Sequence, residues 1–542
     1  MLIQKKQHNG YIISFVLCFA TALFIFLPFL VVDSGFFLYC GDFNSQQIPF
    51  YSYCQNFIKS GGGTFSFETD LGSGFLSSYS FYLLGSPTFW LTTLFPAKAV
   101  PYLLVPLLCL KFAVAGVGVF AFAKRYIKDR NLTLLAAVLY TFSGFSVYNI
   151  FFNHFIEPIM LFPFLLWAMD EFFYDKKRGP FGIMVALSLL NSFFFFIGNV
   201  VFCIIYFIIK LACKDYVIKF KDFLLFVFEG VLGVLAAMCL VLPTALTLLN
   251  NPRVANWADG FGLVMYSQPQ QYFAILSSLF LPPDPPYMPN IFTECNVKWT
   301  SLSAYLPLFS FAGVLCYLKQ NKKTFFSRIL CVCFVMALVP ILNSAFYGFN
   351  SSYYARWFYM PILIMSVCTV LSVRDANKND VFKAIKITAV ITGVFFIFGV
   401  LPKKTTDEAT QVEKLVIGVT QEPAKLVLTV LTALLGLLAG YMILRFAKSK
   451  PRAVRALIAC TMGFSVCFAI IHISLGKFPQ WENDADYKQS VYDEKKALQE
   501  ALPTDEFYRI DAYGTHENMG LHLNRPCIQF FNSTVSPSIM EF

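Results

Sequence analysis

Apolar residues run along this chain in long blocks, without the alternation of a half-buried strand or the narrow stripe of a soluble helix. The blocks are about 17–25 residues long, enough to cross a ~30 Å hydrocarbon core as helix. They fall near 11–32, 99–122, 132–151, 155–172, 181–197, 199–213, 223–249, 302–318, 326–343, 354–373, 384–401, 423–445 and 455–475. The pattern predicts an all-α polytopic membrane protein with about 13 transmembrane helices. Two long polar-aromatic stretches, 33–97 and 250–300, interrupt the blocks. After residue 475 the composition turns polar. Tyr487 to Leu502 reads as a soluble helix and Phe507 to Ile510 as a strand. The chain therefore divides into a transmembrane domain, 1–475, and a second segment, 476–542, that reads as the beginning of an extracytoplasmic domain.

Composition agrees. Hydrophobic residues make up 57% of the 542 and charged residues 14%, against about 25% charged in soluble domains. A soluble enzyme, a disordered chain and a small disulfide scaffold are excluded. Most of the 15 cysteines lie inside apolar blocks, with no CxxC pair and no zinc spacing. They read as small apolar residues; that Cys40 and Cys54 face an oxidising compartment and pair is the lesser alternative. The five histidines are scattered, which predicts no metal cluster.

The net charge of +10 would suggest nucleic acid in a soluble protein, but here the basic residues sort by connection. Lys124–Arg130, Lys176–Arg178, Lys210–Lys221, Lys319–Arg328, Arg374–Lys386 and Arg445–Arg455 are basic, and the connections between them are not. Roughly 26 basic residues fall on the N-terminal side and about nine on the other. The N-terminus is therefore expected in the cytoplasm. Lys5 and Lys6 precede a first block that lacks a small-residue cleavage site, so it reads as an uncleaved anchor. The stretches 33–97 and 250–300, and the C-terminal tail, are expected outside.

Candidate chemistry lies at the outer ends of the blocks. Asp42 opens Gly41-Asp42-Phe43-Asn44-Ser45-Gln46-Gln47, and Gln46 follows on the same face of a short surface helix. A carboxylate at the mouth of an apolar cavity has a raised pKa and can take a proton from an alcohol. The bland alternative is a capping Asp on a solvated loop. His154 and Glu157 share a face at i,i+3 between two blocks, as an acceptor or metal site or as an ordinary capped turn. Arg356 sits among aromatics in Tyr353-Tyr354-Ala355-Arg356-Trp357, and a guanidinium fork suits a phosphate; an interface anchor is its alternative. Lys298 and Arg253 could meet an anion too. Lys111 and Glu229 fall within blocks, in the part expected to be the inner half. There is no P-loop, dinucleotide motif or Ser/His/Asp set.

The runs Gly41-Asp42-Phe43, Asp70-Leu71-Gly72-Ser73-Gly74, Ser80-Phe81-Tyr82-Leu83-Leu84-Gly85-Ser86-Pro87, Phe152-Asn153-His154, Leu281-Pro282-Pro283-Asp284, Lys298-Trp299-Thr300-Ser301 and Tyr353-Tyr354-Ala355-Arg356-Trp357-Phe358 resemble the bacterial YfhO family over nearly the whole chain. That family is similar to GT-C glycosyltransferases, which take a sugar from a polyprenyl-phosphate carrier outside the membrane. The resemblance implies a GT-C-like bundle in a bacterial cytoplasmic membrane. It implies an undecaprenyl-phosphate-linked sugar as donor and an envelope polymer such as teichoic acid as acceptor. Asp42 matches the catalytic first-loop acid. Arg356, with Lys298, would hold the donor phosphate. His154 and Glu157, with Gln46 beside Asp42, would serve a second-acid or acceptor site. GT-C enzymes differ in metal use, so a divalent cation stays open. Family members continue into a larger outer domain. A transporter or flippase of a lipid-linked precursor is the alternative reading, although no inverted repeat supports it. A non-catalytic assembly protein is the third.

Overall fold

The computed structural model describes residues 2–541 except 250–255, 258, 294, 296, 407–412, 418, 481–485, 504, 505, 514 and 515. Arg253 lies outside these. Among the described residues, eight helical stretches are long and apolar enough to cross a membrane, from Asn9–Val32 to Lys450–Gln480. A ninth arises if Phe325–Leu338 and Pro340–Tyr347, bent by 109°, count as one. The bend falls where Val339 is extended ahead of Pro340, the conformation that a following proline favours.

Helix boundaries follow local chemistry. The helix Val100–Ile127 carries Pro101 in its first turn and Lys124 and Arg125 in its last, suiting the free N–H groups at one end and the carbonyls at the other. The stretch Arg130–Tyr174 is a hairpin, although it reads as one apolar run of 45 residues. It starts just after Arg125, and its far end returns there: Glu171 accepts Arg125 at 2.9 Å, and Asp175 pairs with it too. Ser143 caps a short helix at the tip. Asn153, at φ +25°, then breaks the turn before Ile156–Tyr174 begins.

The basic connections gather at one end of the bundle. Lys176 and Arg178 both pair with Asp222, and Lys319 with Asp380. Lys210 donates to the Tyr126 hydroxyl, Arg374 to the Tyr126 carbonyl and Lys450 to the Arg374 carbonyl. Glu229 belongs to this end, where its carboxylate accepts the Gly179 N–H at 3.0 Å and caps the helix Pro180–Asn191.

The block 302–318 departs from expectation: only Ala312–Gln320 is helical. Pro307 and the positive φ of Ser301, Leu308 and Ser310 prevent a longer helix. This buried irregular backbone finds partners inside the protein. Gly144 donates to the Tyr305 carbonyl, Ala304 to the Ser278 carbonyl, and the Ser310 hydroxyl to the Phe280 carbonyl. Only such satisfied backbone is tolerated at membrane depth. Gly144 permits the approach, since a Cβ there would lie 2.5 Å from Ser303 Oγ.

Opposite the basic end, the helix Ile48–Lys59 does not lie free along a surface. It buries Ile48, Phe50, Tyr51, Tyr53 and Cys54 between the helix Val100–Ile127 and the tail helix Met519–Leu523. Cys54 is a free buried thiol, so the Cys40–Cys54 bond is not formed. The tail packs on the first loop: Thr534 donates to the Ser78 carbonyl at 2.9 Å, and Phe530 stacks on Phe50. A buried ion pair, Lys477 to Asp33 at 3.1 Å, joins the last long helix to the end of the first.

Candidate functional site

Four chain segments meet at the loop end: 41–47, the hairpin tip around 149–157, and the runs 298–301 and 353–358. Gly41 has φ +48°, and a Cβ there would lie 2.7 Å from the Phe151 ring. Only glycine lets the first loop press against the hairpin tip. Asp42 follows and leads into a π-helical turn, Phe43–Gln47. The tail holds this turn from outside. Tyr487 donates to the Asn44 carbonyl at 2.9 Å and Asn518 to the Ser45 carbonyl at 2.7 Å.

Asp42 is half-buried and has no hydrogen bond or ion pair among the described residues. Burial pushes its carboxyl up to about 6; the Arg356 charge pulls it down and Glu517 pushes it further up. Asp42 and Arg356 are thus in electrostatic reach of one another, although 314 positions separate them in sequence.

Arg356 is placed by its neighbours. The Ala355 N–H binds the Thr300 carbonyl, and Arg356 donates from Nη2 to the Trp299 carbonyl at 3.3 Å. Its guanidinium lies 4.0 Å from the Tyr354 ring and 5.0 Å from the Phe155 ring, within range of cation–π attraction. Its Nε is buried with no partner among the described residues. Asn343 fixes the surrounding loop, accepting from Trp357 Nε1 and donating to the Tyr347 hydroxyl and the Tyr354 carbonyl. The sequence reading missed Asn343; its signal was a polar side chain closing the apolar block 326–343.

His154 and Glu157 do not form one site, because they belong to different networks. Glu157 accepts from Ser86, Thr88 and Asn191 and pairs with Lys111 at 3.3 Å, with side chains 1% and 0% exposed. Lys111 completes its shell with Asn153 and Tyr51. Lys111 therefore sits at the level of the hairpin tip, not in the half of its helix near the basic end. Glu157 is saturated and closed to an acceptor. His154 instead meets Gln47, whose Nε2 lies 3.0 Å from Nδ1. Gln46 is buried beside it, and its Nε2 has no partner among the described residues.

Lys298 is exposed and lines a separate cavity of 460 Å³ with Gln270, Thr293 and Gln421. Asp284 is a second carboxyl pushed up to about 6 by burial, but it accepts the Asn290 N–H at 2.8 Å. No group of three or more His, Cys, Asp or Glu side chains among the described residues could hold a metal ion.

Residues 14–542 match the family described as Bacterial membrane protein YfhO. The chain belongs to this family. No curated protein matches it in sequence. Among solved structures it is similar to ArnT from Cupriavidus metallidurans bound to undecaprenyl phosphate. The TM-score is 0.50 at 12% identity, covering 96% of this chain and 85% of that one. ArnT in the apo state gives 0.51 at 13% identity, with the same coverage. The archaeal oligosaccharyltransferase AglB from Archaeoglobus fulgidus, in complex with an inhibitory peptide and a dolichol-phosphate, gives 0.42 at 12% identity, covering 96% and 64%. At these identities the likeness is one of fold: this YfhO family member is a multi-pass helical protein with a GT-C-like architecture.

Proposed function

We propose that this YfhO family protein is a membrane glycosyltransferase that moves a sugar from a polyprenyl-phosphate carrier to an envelope acceptor such as teichoic acid. The observation that carries the reading is Asp42, a half-buried carboxyl within reach of the Arg356 guanidinium, with no direct partner for Asp42 and no carboxylate paired to Arg356 among the described residues. The family match and the ArnT fold, one of whose structures holds undecaprenyl phosphate, support it. In this reading about thirteen legs cross the cytoplasmic membrane. The basic end faces the cytoplasm, as the positive-inside rule requires, and the site opens outside under the tail.

Asp42 takes the proton of an acceptor hydroxyl as its oxygen attacks the anomeric carbon. The bond from that carbon to the phosphate oxygen breaks, and its electron pair stays on the phosphate. Arg356 stabilises the charge that develops there. Lys298, next to the residue whose carbonyl holds Arg356, meets the anionic donor at the rim. Glu157 has a structural role.

The test is sugar transfer in membranes of a deletion strain carrying wild type or Asp42→Asn at matched expression. Loss of polymer sugar, with donor accumulating in the outer leaflet, supports the transferase. Transfer by Asp42→Asn at the wild-type rate would sink the catalytic assignment. Donor retained in the inner leaflet would indicate a flippase.

A further inference from the structure

We infer that the 460 Å³ cavity beside Lys298 binds one unit of the acceptor polymer, a polyol joined by phosphodiesters, next to the unit that receives the sugar. In the transferase reading, on which this rests, the cavity is the acceptor's side of the site.

Two loops locked to each other frame the cavity. Ile291 and Thr420 form an antiparallel bridge, and Gln421 donates its N–H to the Asn290 carbonyl at 2.9 Å. The Asn290 side chain closes the joint. Its Oδ1 accepts the Glu422 N–H at 2.6 Å and the Thr420 hydroxyl at 3.0 Å, and its Nδ2 donates to the Glu422 carbonyl at 3.0 Å. Walls that are already ordered spare a ligand the cost of ordering them. The volume lies within the ~300–1,000 Å³ of small-molecule sites. One residue joins the cavity to the donor side. Trp299, directly after Lys298 in the wall, donates its N–H to the Pro286 carbonyl at 3.1 Å, and its own carbonyl accepts Arg356 Nη2 at 3.3 Å. Pro286 in turn precedes Tyr287, which lines the cavity.

The lining selects the ligand class. Gln270 and Gln421 present amides, Thr293 a hydroxyl and Lys298 an ammonium. None of these four side chains has a hydrogen bond or ion pair among the described residues. Amides and hydroxyls both donate and accept, as the hydroxyls of a polyol do. Among the described residues no carboxylate lines the cavity. Two acids of its frame are engaged elsewhere: Asp284 accepts the Asn290 N–H at 2.8 Å, and Glu422 pairs with Lys425 at 2.9 Å. The Lys298 charge thus has no counter-ion among them, and a phosphodiester supplies one. Asp42 is not in the lining, so the hydroxyl that it deprotonates belongs to a different unit from the one held here. The ligand therefore reaches from the cavity to the place of transfer, as a polymer can and a single unit cannot. Lys298 stands where the two substrates adjoin, at the rim for the donor and in the wall for the acceptor.

Gln421 is exposed, so a charge of either sign can replace it without strain on the fold. Binding is measured on the purified full chain in phosphatidylcholine nanodiscs. The probes are a long glycerol-phosphate oligomer, a neutral polyglycerol of the same length, and undecaprenyl phosphate. We expect Gln421→Glu to weaken the glycerol-phosphate oligomer roughly 5-fold, about 1 kcal/mol and the upper end for exposed charges, and less at high salt. Gln421→Lys should bind the oligomer at least as tightly as wild type. Undecaprenyl phosphate should bind all three proteins alike, and polyglycerol should bind wild type more weakly than the oligomer does. Equal oligomer affinity in all three proteins would overturn the subsite. Equal loss in both variants, or polyglycerol as tight as the oligomer, would overturn the anionic ligand. Phosphatidylglycerol added to the discs and displacing the oligomer would give the cavity to a lipid headgroup and overturn the polymer. Loss of undecaprenyl phosphate in Gln421→Glu alone would move the cavity to the donor side. A wild type that binds the oligomer here yet transfers no sugar in membranes would bring down the transferase reading and leave the polymer site standing.

Discussion

Replacing Asp42 by Asn should stabilise the protein at neutral pH while it abolishes transfer. Asp42 titrates near 6 in the fold, against 3.8 when free, chiefly because burial disfavours its charge. A difference of about two pH units corresponds to about 3 kcal/mol. The folded value is the higher one, so the fold favours the protonated acid. The penalty is absent below about pH 3.8, grows between 3.8 and 6, and is complete above that range. Asn keeps the shape and cannot ionise. The variant should therefore gain up to about 3 kcal/mol at pH 8 and progressively less toward pH 4. Membrane proteins often unfold irreversibly, so the comparison is one of apparent melting temperatures of the two proteins in one detergent across pH. A variant no more stable than wild type at pH 8, or a gain that ignores pH, would refute the reasoning. Higher stability with lost activity is the signature of a group held in an unfavourable place for its chemistry.

Transfer by the wild type should rise with pH through about 6 and then level, because the base must be ionised; Arg356→Met should move that rise upward, since the Arg356 charge lowers the Asp42 value. A profile flat from pH 5 to 8 would argue against Asp42 as base. Lys111→Met strands the buried Glu157 carboxylate and should cost about 3–5 kcal/mol. Adding Glu157→Gln should recover most of it, and equal melting temperatures for single variant and wild type would remove the pair from the account. Asn518→Ala breaks the bond to the Ser45 carbonyl and should loosen the tail by about 1–3 kcal/mol, read as faster proteolysis of residues 486–541 and slower transfer with donor binding unchanged. Unaltered proteolysis would show that the tail does not depend on this contact.

The helical bundle was legible because lipid imposes long apolar runs and sorted charges, and the pairs among Arg125, Asp175, Lys176 and Asp222 join connections that the charge pattern had already grouped. The block 302–318 was misread for a specific reason. Apolar content does not report where backbone hydrogen bonds go, and here they go to Gly144 and to residues 278–280. Asp42 and Arg356 were legible as residue types out of place, but their proximity was not, since no local spacing links positions so far apart. The same limit hid the Lys111–Glu157 pair. His154 and Glu157 share the i,i+3 spacing but meet different partners: His154 meets Gln47, and Glu157 meets Lys111, Ser86, Thr88 and Asn191. Gln47 carried no signal beside Gln46 until its contact with His154 was seen.

The treatment of buried acids argues for chemistry at Asp42 more strongly than its position does. Asp33 has Lys477 and the Leu38 N–H. Glu157 has Lys111, two hydroxyls and an amide. Asp170, at the basic end, accepts from the hydroxyls of Tyr126, Tyr206 and Tyr216. Each carboxylate that joins helices is surrounded by donors, as buried charge demands. Asp42 is in electrostatic reach of Arg356 and has no hydrogen bond or ion pair among the described residues. The turn that carries it is itself pinned by Tyr487 and Asn518 through backbone carbonyls, which leaves the side chain unclaimed. A fold that saturates these three acids and leaves the Asp42 carboxyl without a direct partner among the described residues, in electrostatic reach of Arg356, is the arrangement that the proposed role of Asp42 as base requires.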